Sequence, residues 1–165
     1  MTIWIGRAGA IALLVNIAAW PALGQTSASS ADQAGSTRRG NPAKAQLVVL
    51  HVDQNDPAVM TLALNNAQNI ISHFKALAKP VRIEIVAYGP GLHMLRDDSS
   101  PVKQRLATMA FEEPGITFAA CGNTRDNMAK AEGSEIRIVP EARVVPSGVV
   151  HLMELQASGY AYIKP

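Results

Sequence analysis

"QLVVLHV", residues 46–52, is an almost unbroken run of aliphatic and β-branched side chains. A strand with one exposed face alternates apolar and polar residues, whereas a strand covered on both faces, as in parallel sheets, is a continuous apolar run. Residues 53–80 then carry apolar side chains at helical spacing, with Asp56 as a predicted N-cap and Pro57 at the first helical position. "VRIEIVAY", residues 81–88, is a second predicted strand. This order predicts two parallel strands joined by a crossover helix.

The same alternation continues to the end of the chain. The further predicted elements are a turn at "GPG" (89–91), a helix over 100–112, a third strand at 115–120, a short helix at 123–131, a fourth strand at 135–139, a helix at 146–159 and a last strand at 160–164. Strands that alternate with helices in this way predict an α/β fold in which helices cover both faces of a mainly parallel sheet.

The first 45 residues differ in composition from the rest of the chain. Residues 1–24 combine Arg7, an apolar stretch over 8–20 and small residues before Gln25, which is the layout of a secretory signal peptide; an uncleaved anchor is the alternative. Residues 25–45 are rich in Ser, Ala and Gly and are predicted to be a flexible leader. We therefore expect a single α/β domain at 46–165, exported to the periplasm and not bound to a membrane after cleavage.

Composition and charge narrow the function classes. The chain has 165 residues, of which 48% are hydrophobic and 17% charged, which suits one globular domain with short additions. The net charge is +2, but Arg7, Arg38, Arg39 and Lys44 all precede the predicted domain. The domain therefore has no net basic charge, and we expect no nucleic-acid partner. Since no histidine pair has metal-ligand spacing, we expect neither a metal nor another cofactor.

Cys121 is the only cysteine, so the chain can form no internal disulfide. It lies just after the third predicted strand and before Asn123 and Thr124, either of which can cap the next helix. Ligands of open α/β sheets bind beyond the carboxyl ends of the strands, and a helix N-terminus favours a thiolate. Cys121 is therefore a candidate reactive thiol, and a buried packing cysteine is the alternative.

Other residues are expected near the same edge of the sheet. His51 ends the first strand and can either tune the thiolate or bind a ligand, although a neutral, hydrogen-bonded core histidine is the more common situation. Gly89 and Gly91 belong to the turn that follows the second strand, and the backbone amides of 122–124 follow the cysteine. His73 and His151 lie on predicted helices and are expected to be surface or packing groups.

Four blocks in order, "VVLHV", "IEIVAYGPGLHML", "GITFAACGNT" and "VPSGVVHLMELQASGYAYIKP", resemble the DsrE/DsrF-like family, the fold of the DsrEFH and Tus sulfur-relay systems, and especially its exported small members. The resemblance covers residues 46–165. It implies a three-layer α/β/α fold with a five-stranded parallel sheet, assembled into homo-oligomers. It also implies that Cys121 carries sulfur as a persulfide and passes it to a partner.

On this basis the expected function is that of a sulfur carrier or sulfurtransferase-like protein. The expected ligand-binding residues, chosen from their places at the sheet edge, are His51, Gly89, Gly91, Gly122, Asn123 and Thr124, with Cys121 as the reactive residue. The expected partners are copies of this chain and a sulfur donor or acceptor, which is either a protein or a small sulfur compound. The alternatives are a small-molecule or thiol-binding module without catalysis and a structural homo-oligomer.

Overall fold

The computed structural model describes residues 44–165. The predicted signal peptide at 1–24 lies outside the described residues, as does the predicted leader at 25–45 apart from Lys44 and Ala45.

The described chain alternates strands and helices from end to end. Its elements are β1 Gln46–Val52, α1 Pro57–Ala76, β2 Val81–Ala87, a 3₁₀ helix Gly89–Leu95, α2 Lys103–Glu112, β3 Ile116–Cys121, α3 Gly122–Glu132, β4 Ala142–Val145, α4 Gly148–Ala157 and β5 Ala161–Ile163.

The five strands form one sheet in the order β4-β3-β2-β1-β5, and every neighbouring pair is parallel. The chain steps in one direction from β1 to β4 and then returns across the sheet to place β5 beside β1. Crossovers between parallel strands are right-handed, so the returning helix must lie on the face opposite the others. Accordingly, α1 and α2 pack on one face and α4 packs on the other. The predicted three-layer α/β/α fold is confirmed.

The two faces of the sheet bury unequal amounts of apolar surface. The larger core joins alternate residues of β1, β2 and β3 to α1, α2 and the 3₁₀ helix, and includes Leu50, Ile85 and Phe118. The smaller core, on the face under α4, consists of Val49, Val86, Ala119, Val145, Leu152 and Leu155. Because both faces are covered, the central strands are buried on both sides, which explains their unbroken apolar sequences.

The start of α1 follows the prediction. The carboxylate of Asp56 accepts a hydrogen bond of 2.7 Å from the Ala58 N–H, and Pro57 occupies the first turn. The capping bond satisfies one of the amides that a helix N-terminus leaves without an intrahelical partner, and the fixed φ of proline suits that position.

The predicted fourth strand at 135–139 is wrong, and β4 begins at Ala142 instead. Its backbone bonds join it to the end of the 3₁₀ helix and the residues just after that helix: Val139 N–H donates to the Leu95 carbonyl, and the Arg137 carbonyl accepts from the Asp97 N–H. Only one isolated antiparallel bridge, between Arg96 and Ile138, forms there. An alternating β-branched pattern predicts extended backbone but does not indicate which partner that backbone will find.

Other boundaries move by a few residues. "GPG" opens the 3₁₀ helix instead of forming a simple turn, and α2 begins at Lys103 instead of 100. The last helix spans Gly148–Ala157, shorter than the predicted 146–159, and the last strand is confined to Ala161–Ile163. Within residues 44–165, no helix combines the length and apolarity needed to cross a membrane.

Replacing Asp56 by alanine should lower the free energy of unfolding by about 1 kcal/mol, because the N-cap bond to Ala58 is lost. Asp56→Asn should keep most of that stability, since asparagine caps equally well. Urea denaturation of both variants measures the difference. Equal losses in the two variants would contradict a capping role.

Candidate functional site

The site lies where two neighbouring strands are followed by helices on opposite faces of the sheet. β3 ends at Cys121 and continues into α3, while its neighbour β4 ends at Val145 and leads to α4 on the other face. The two strand ends are paired, Cys121 opposite Val145. Adjacent strands whose connections diverge in this way leave a crevice at their carboxyl ends, which is the usual ligand position in open α/β sheets. Cys121 lies at this edge of the sheet, at the end of β3.

The N-termini of α3 and α4 both face the cysteine sulfur. The Thr124 hydroxyl and the backbone N–H groups of Gly148, Thr124 and Asn123 lie near Sγ and favour its thiolate form, although the Asn123 N–H itself donates to the Pro146 carbonyl at 3.2 Å. Burial is the largest single influence and by itself raises the pKa of Cys121, but these hydrogen bonds together outweigh it and the pKa lies below the ordinary thiol value. The arrangement favours an ionised sulfur.

The Thr124 hydroxyl is oriented by the loop after β2. Gly89 N–H donates to Thr124 Oγ1 at 2.9 Å, which leaves the hydroxyl proton free to point at the sulfur. Gly89 has φ +52°, a left-handed conformation that glycine adopts at little cost. Gly89 thus acts on the cysteine through Thr124.

Two glycines let the backbone approach the sulfur closely. A Cβ on Gly148 would lie 3.0 Å from Tyr88 Cβ and 3.1 Å from Cys121 Cβ, and a Cβ on Gly122 would lie 3.1 Å from the Val145 carbonyl oxygen. These distances are tighter than ordinary van der Waals contact. The absence of side chains at both positions therefore brings the helix amides within reach of Sγ.

Cys121 is only 5% exposed, so the residue is buried in the folded protein. Its sulfur nevertheless faces polar backbone and a hydroxyl instead of aliphatic side chains alone. A groove of about 490 Å³ runs between the 3₁₀ helix and α3 and reaches Thr124 and Gly89. Its walls also include Asn55, His93 and Met128.

His51 does not contact Cys121. β2 lies between their strands, so they are separated by two strand spacings, about 10 Å. The His51 ring stacks on Tyr88 with centroids 4.4 Å apart, and Nδ1 hydrogen-bonds the Tyr162 hydroxyl at 2.9 Å. Burial lowers its pKa, against a smaller opposing effect of Asp53, so the ring is neutral at pH 7. Among the described residues, Nε2 has no hydrogen-bond partner.

The remaining predicted site residues divide into two groups. Gly122, Asn123 and Thr124 surround the cysteine, although the Asn123 N–H also lies 3.2 Å from the Pro146 carbonyl. Gly91 lies away from it: a Cβ there would be 2.2 Å from the Val52 carbonyl oxygen, so its role is the close packing of the 3₁₀ helix on β1.

Sequence reasoning missed Gly148 and Tyr88. Gly148 lies far along the chain in a helix that meets the cysteine only through the fold, and Tyr88 forms the wall between Cys121 and His51. The available signal was the "PSG" at a predicted helix start, but the strand that directly precedes it, β4, was not predicted from the sequence. Within residues 44–165, no group of three or more His, Cys, Asp or Glu side chains is placed to hold a metal ion.

These features define an α/β protein with a parallel sheet and a buried cysteine at the carboxyl edge of that sheet. The family model described as DsrE/DsrF-like matches residues 47–165, and the chain belongs to the DsrE/DsrF-like family. A solved structure of a protein of unknown function from Methanobacterium thermoautotrophicum is similar, with 33% identity and a TM-score of 0.62 over 73% of this chain and 99% of that chain. No curated protein matches the sequence significantly.

Replacing Thr124 by valine should raise the pKa of Cys121, because a hydroxyl donor to the thiolate is replaced by a methyl group. A hydrogen bond to a charged group contributes about 1.5 kcal/mol, so the thiolate fraction at pH 7 should fall by about tenfold. Alkylation by iodoacetamide should slow by roughly threefold, because a thiolate of higher pKa is more nucleophilic. Thr124→Ser keeps the hydroxyl and should react like the native protein. A pH profile of the alkylation rate compares the three. An unchanged midpoint in Thr124→Val would mean that the hydroxyl does not bind the sulfur.

Proposed function

We propose that this protein is a sulfur carrier or sulfurtransferase-like protein that holds sulfane sulfur as a persulfide on Cys121. The observation that carries the proposal is the convergence of two helix N-termini and a threonine hydroxyl on one sulfur atom. These donors favour an anionic sulfur over a thiol. Membership of the DsrE/DsrF-like family, which is associated with sulfur relay, supports the same chemistry.

In the loading step, the Cys121 thiolate attacks the outer sulfur of a sulfane donor such as thiosulfate. A new S–S bond forms, the donor's S–S bond breaks, and its electron pair leaves with the remaining fragment, which is sulfite for thiosulfate. The cysteine is left as Cys-S-S⁻. The same amides that bind the thiolate can hydrogen-bond this anion, since the negative charge moves outward by only one bond.

In the unloading step, an acceptor thiolate attacks the outer sulfur of the persulfide. The S–S bond to Cys121 breaks and its electron pair returns to Cys121 as thiolate. A thiol of low pKa is a good leaving group, so the hydrogen bonds that activate Cys121 for attack also favour this release. No second cysteine is needed within the chain, and this agrees with the sequence.

Intact mass spectrometry after incubation with thiosulfate or a polysulfide tests the proposal. The native protein should gain one sulfur atom, the adduct should disappear on treatment with a thiol acceptor, and Cys121→Ser should gain none. A native protein that gains no sulfur from either donor would overturn the proposal. If an excess of a thiol-directed reagent also leaves it unlabelled, the burial of Cys121 is structural and the non-catalytic alternatives stand.

We also propose that the donor or acceptor meets the protein after export, in the periplasm, and that copies of the chain assemble. Three apolar side chains of α4 support assembly, because Val149 is 52% exposed, Val150 48% and Met153 65%. They form one exposed apolar face on the helix whose N-terminus binds Cys121. Apolar surface of this kind commonly marks protein contacts.

Replacing Met153 by glutamate should shift the native protein from oligomer to monomer, because a charge would be buried at the contact. Phe111→Glu, on α2, is a control for an exposed apolar residue elsewhere on the molecule. Light scattering coupled to size exclusion gives the masses. If Phe111→Glu dissociates the oligomer and Met153→Glu does not, the contact lies on α2. If the native protein is a monomer, the assembly proposal is wrong.

A further inference from the structure

A buried carboxylate lies in the middle of the sheet, apart from the sheet edge that holds the cysteine. Glu84 of β2 is only 4% exposed and faces α4. Its Oε1 accepts a hydrogen bond from Arg143 Nη2 of β4 and lies 2.8 Å from His151 Nε2 of α4. The expectation that His151 is a simple surface or packing group is therefore incomplete.

A carboxylate in this position needs a compensating partner. Burying a charge is costly unless it is paired and hydrogen-bonded, and removing one member of a buried pair leaves the other uncompensated. Both partners of Glu84 come from elements that are distant in sequence from β2. The cluster of Glu84, Arg143 and His151, called here the Glu84 clamp, therefore ties β4 and α4 to the centre of the sheet.

The Glu84 clamp brackets the connection between β4 and α4, residues 145–148. This connection makes three contacts with the cysteine end of β3. Val145 pairs with Cys121, the Pro146 carbonyl accepts a hydrogen bond from the Asn123 N–H, and Gly148 packs so closely that a Cβ on it would lie 3.1 Å from Cys121 Cβ. Arg143 precedes the connection by two residues and His151 follows its last residue by three, so the clamp holds the chain on both sides.

Apolar packing alone holds this part of α4 weakly. The buried apolar side chains of the helix are Leu152 and Leu155, which lie in its middle and second half. In the first turn, Val149 and Val150 are half-exposed, and the only buried residue is Gly148, which has no side chain. The contacts of His151 Nε2 with Glu84 of β2, at 2.8 Å, and with Arg143 of β4, at 3.0 Å, thus join the first turn of α4 to the sheet.

We propose that Glu84 is a positioning residue for Cys121: through Arg143 and His151 it holds residues 145–148 so that the Gly148 amide stays against the cysteine sulfur. Glu84 touches neither the sulfur nor its other donors. This inference rests on the proposed function in one respect: a sulfur carrier uses an ionised cysteine. The ionisation of Cys121 can nevertheless be measured without any sulfur transfer.

The experiment is the pH profile of iodoacetamide alkylation for Glu84→Gln. The amide keeps the shape of the side chain but loses the charge that binds Arg143 and His151. The midpoint should move to higher pH and the rate at pH 7 should fall severalfold. Removing a negative charge would by itself favour the thiolate and lower the midpoint. The direction of the shift therefore separates positioning from a long-range charge effect.

Glu154→Gln is the matched control. Glu154 lies on the same helix, its side chain is 69% exposed, and its carboxylate is 3.8 Å from His151 Nδ1. The substitution makes the same change of charge next to the same histidine but leaves Glu84 in place, and should leave the profile as it is in the native protein. An unchanged or lowered midpoint in Glu84→Gln, with native circular dichroism, would overturn the proposal.

Two further variants test the same proposal if the Glu84→Gln protein does not fold. His151→Gln removes the partner on α4 and should raise the midpoint. Arg143→Gln should raise it as well, but the loss of a positive charge acts in the same direction, so His151→Gln carries the decision. If His151→Gln does not raise the midpoint, the positioning role is excluded. Sulfur loading is scored separately by mass: native protein that takes up no sulfur refutes the carrier function, whereas the pH profiles alone decide the role of Glu84.

Discussion

The structure depends on one topological constraint, which is the return of the chain from β4 at one edge of the sheet to β5 beside β1. Since crossovers are right-handed, this return places α4 on the face opposite α1 and α2. Neighbouring strands β3 and β4 then feed helices that diverge, and the N-termini of those helices meet at a single residue, Cys121. Without the reversal of direction, only α3 would present its amides to the sulfur.

The chemistry of the sulfur is a balance between two opposing effects of the same location. Burial at the junction of two helices and a strand end disfavours charge, and is the largest single influence on the Cys121 pKa. The same junction supplies the backbone N–H groups and the Thr124 hydroxyl, which lower the Cys121 pKa by more than burial raises it. Gly122 and Gly148 allow the starts of α3 and α4 to pack closely around Cys121, and the Gly89 N–H orients the Thr124 hydroxyl. Glycines on three separate segments thus shape the surroundings of the sulfur.

Prediction from the sequence was most accurate where the signal is local. The buried strands, the Asp56 cap and the position of Cys121 at the end of β3 all rest on residues close together in the chain. It was less accurate at residues 135–139, because an extended pattern does not specify whether the backbone joins the sheet or, as here, Leu95 and Asp97. His51 shows the same limit, since sharing a sheet edge with Cys121 does not place it on a neighbouring strand.

The sequence by itself determined the class of fold and the position of the cysteine at the end of β3, because a continuous apolar strand, a helical period and a lone cysteine before a helix start are local properties. Only the tertiary structure decided what surrounds that cysteine. Gly148 and Tyr88 reach the cysteine, and Glu84 reaches Arg143 and His151, through strand order and crossover hand, which bring distant segments together. The physical reason is that hydrogen bonds and burial depend on distance in space, whereas sequence patterns record only separation along the chain.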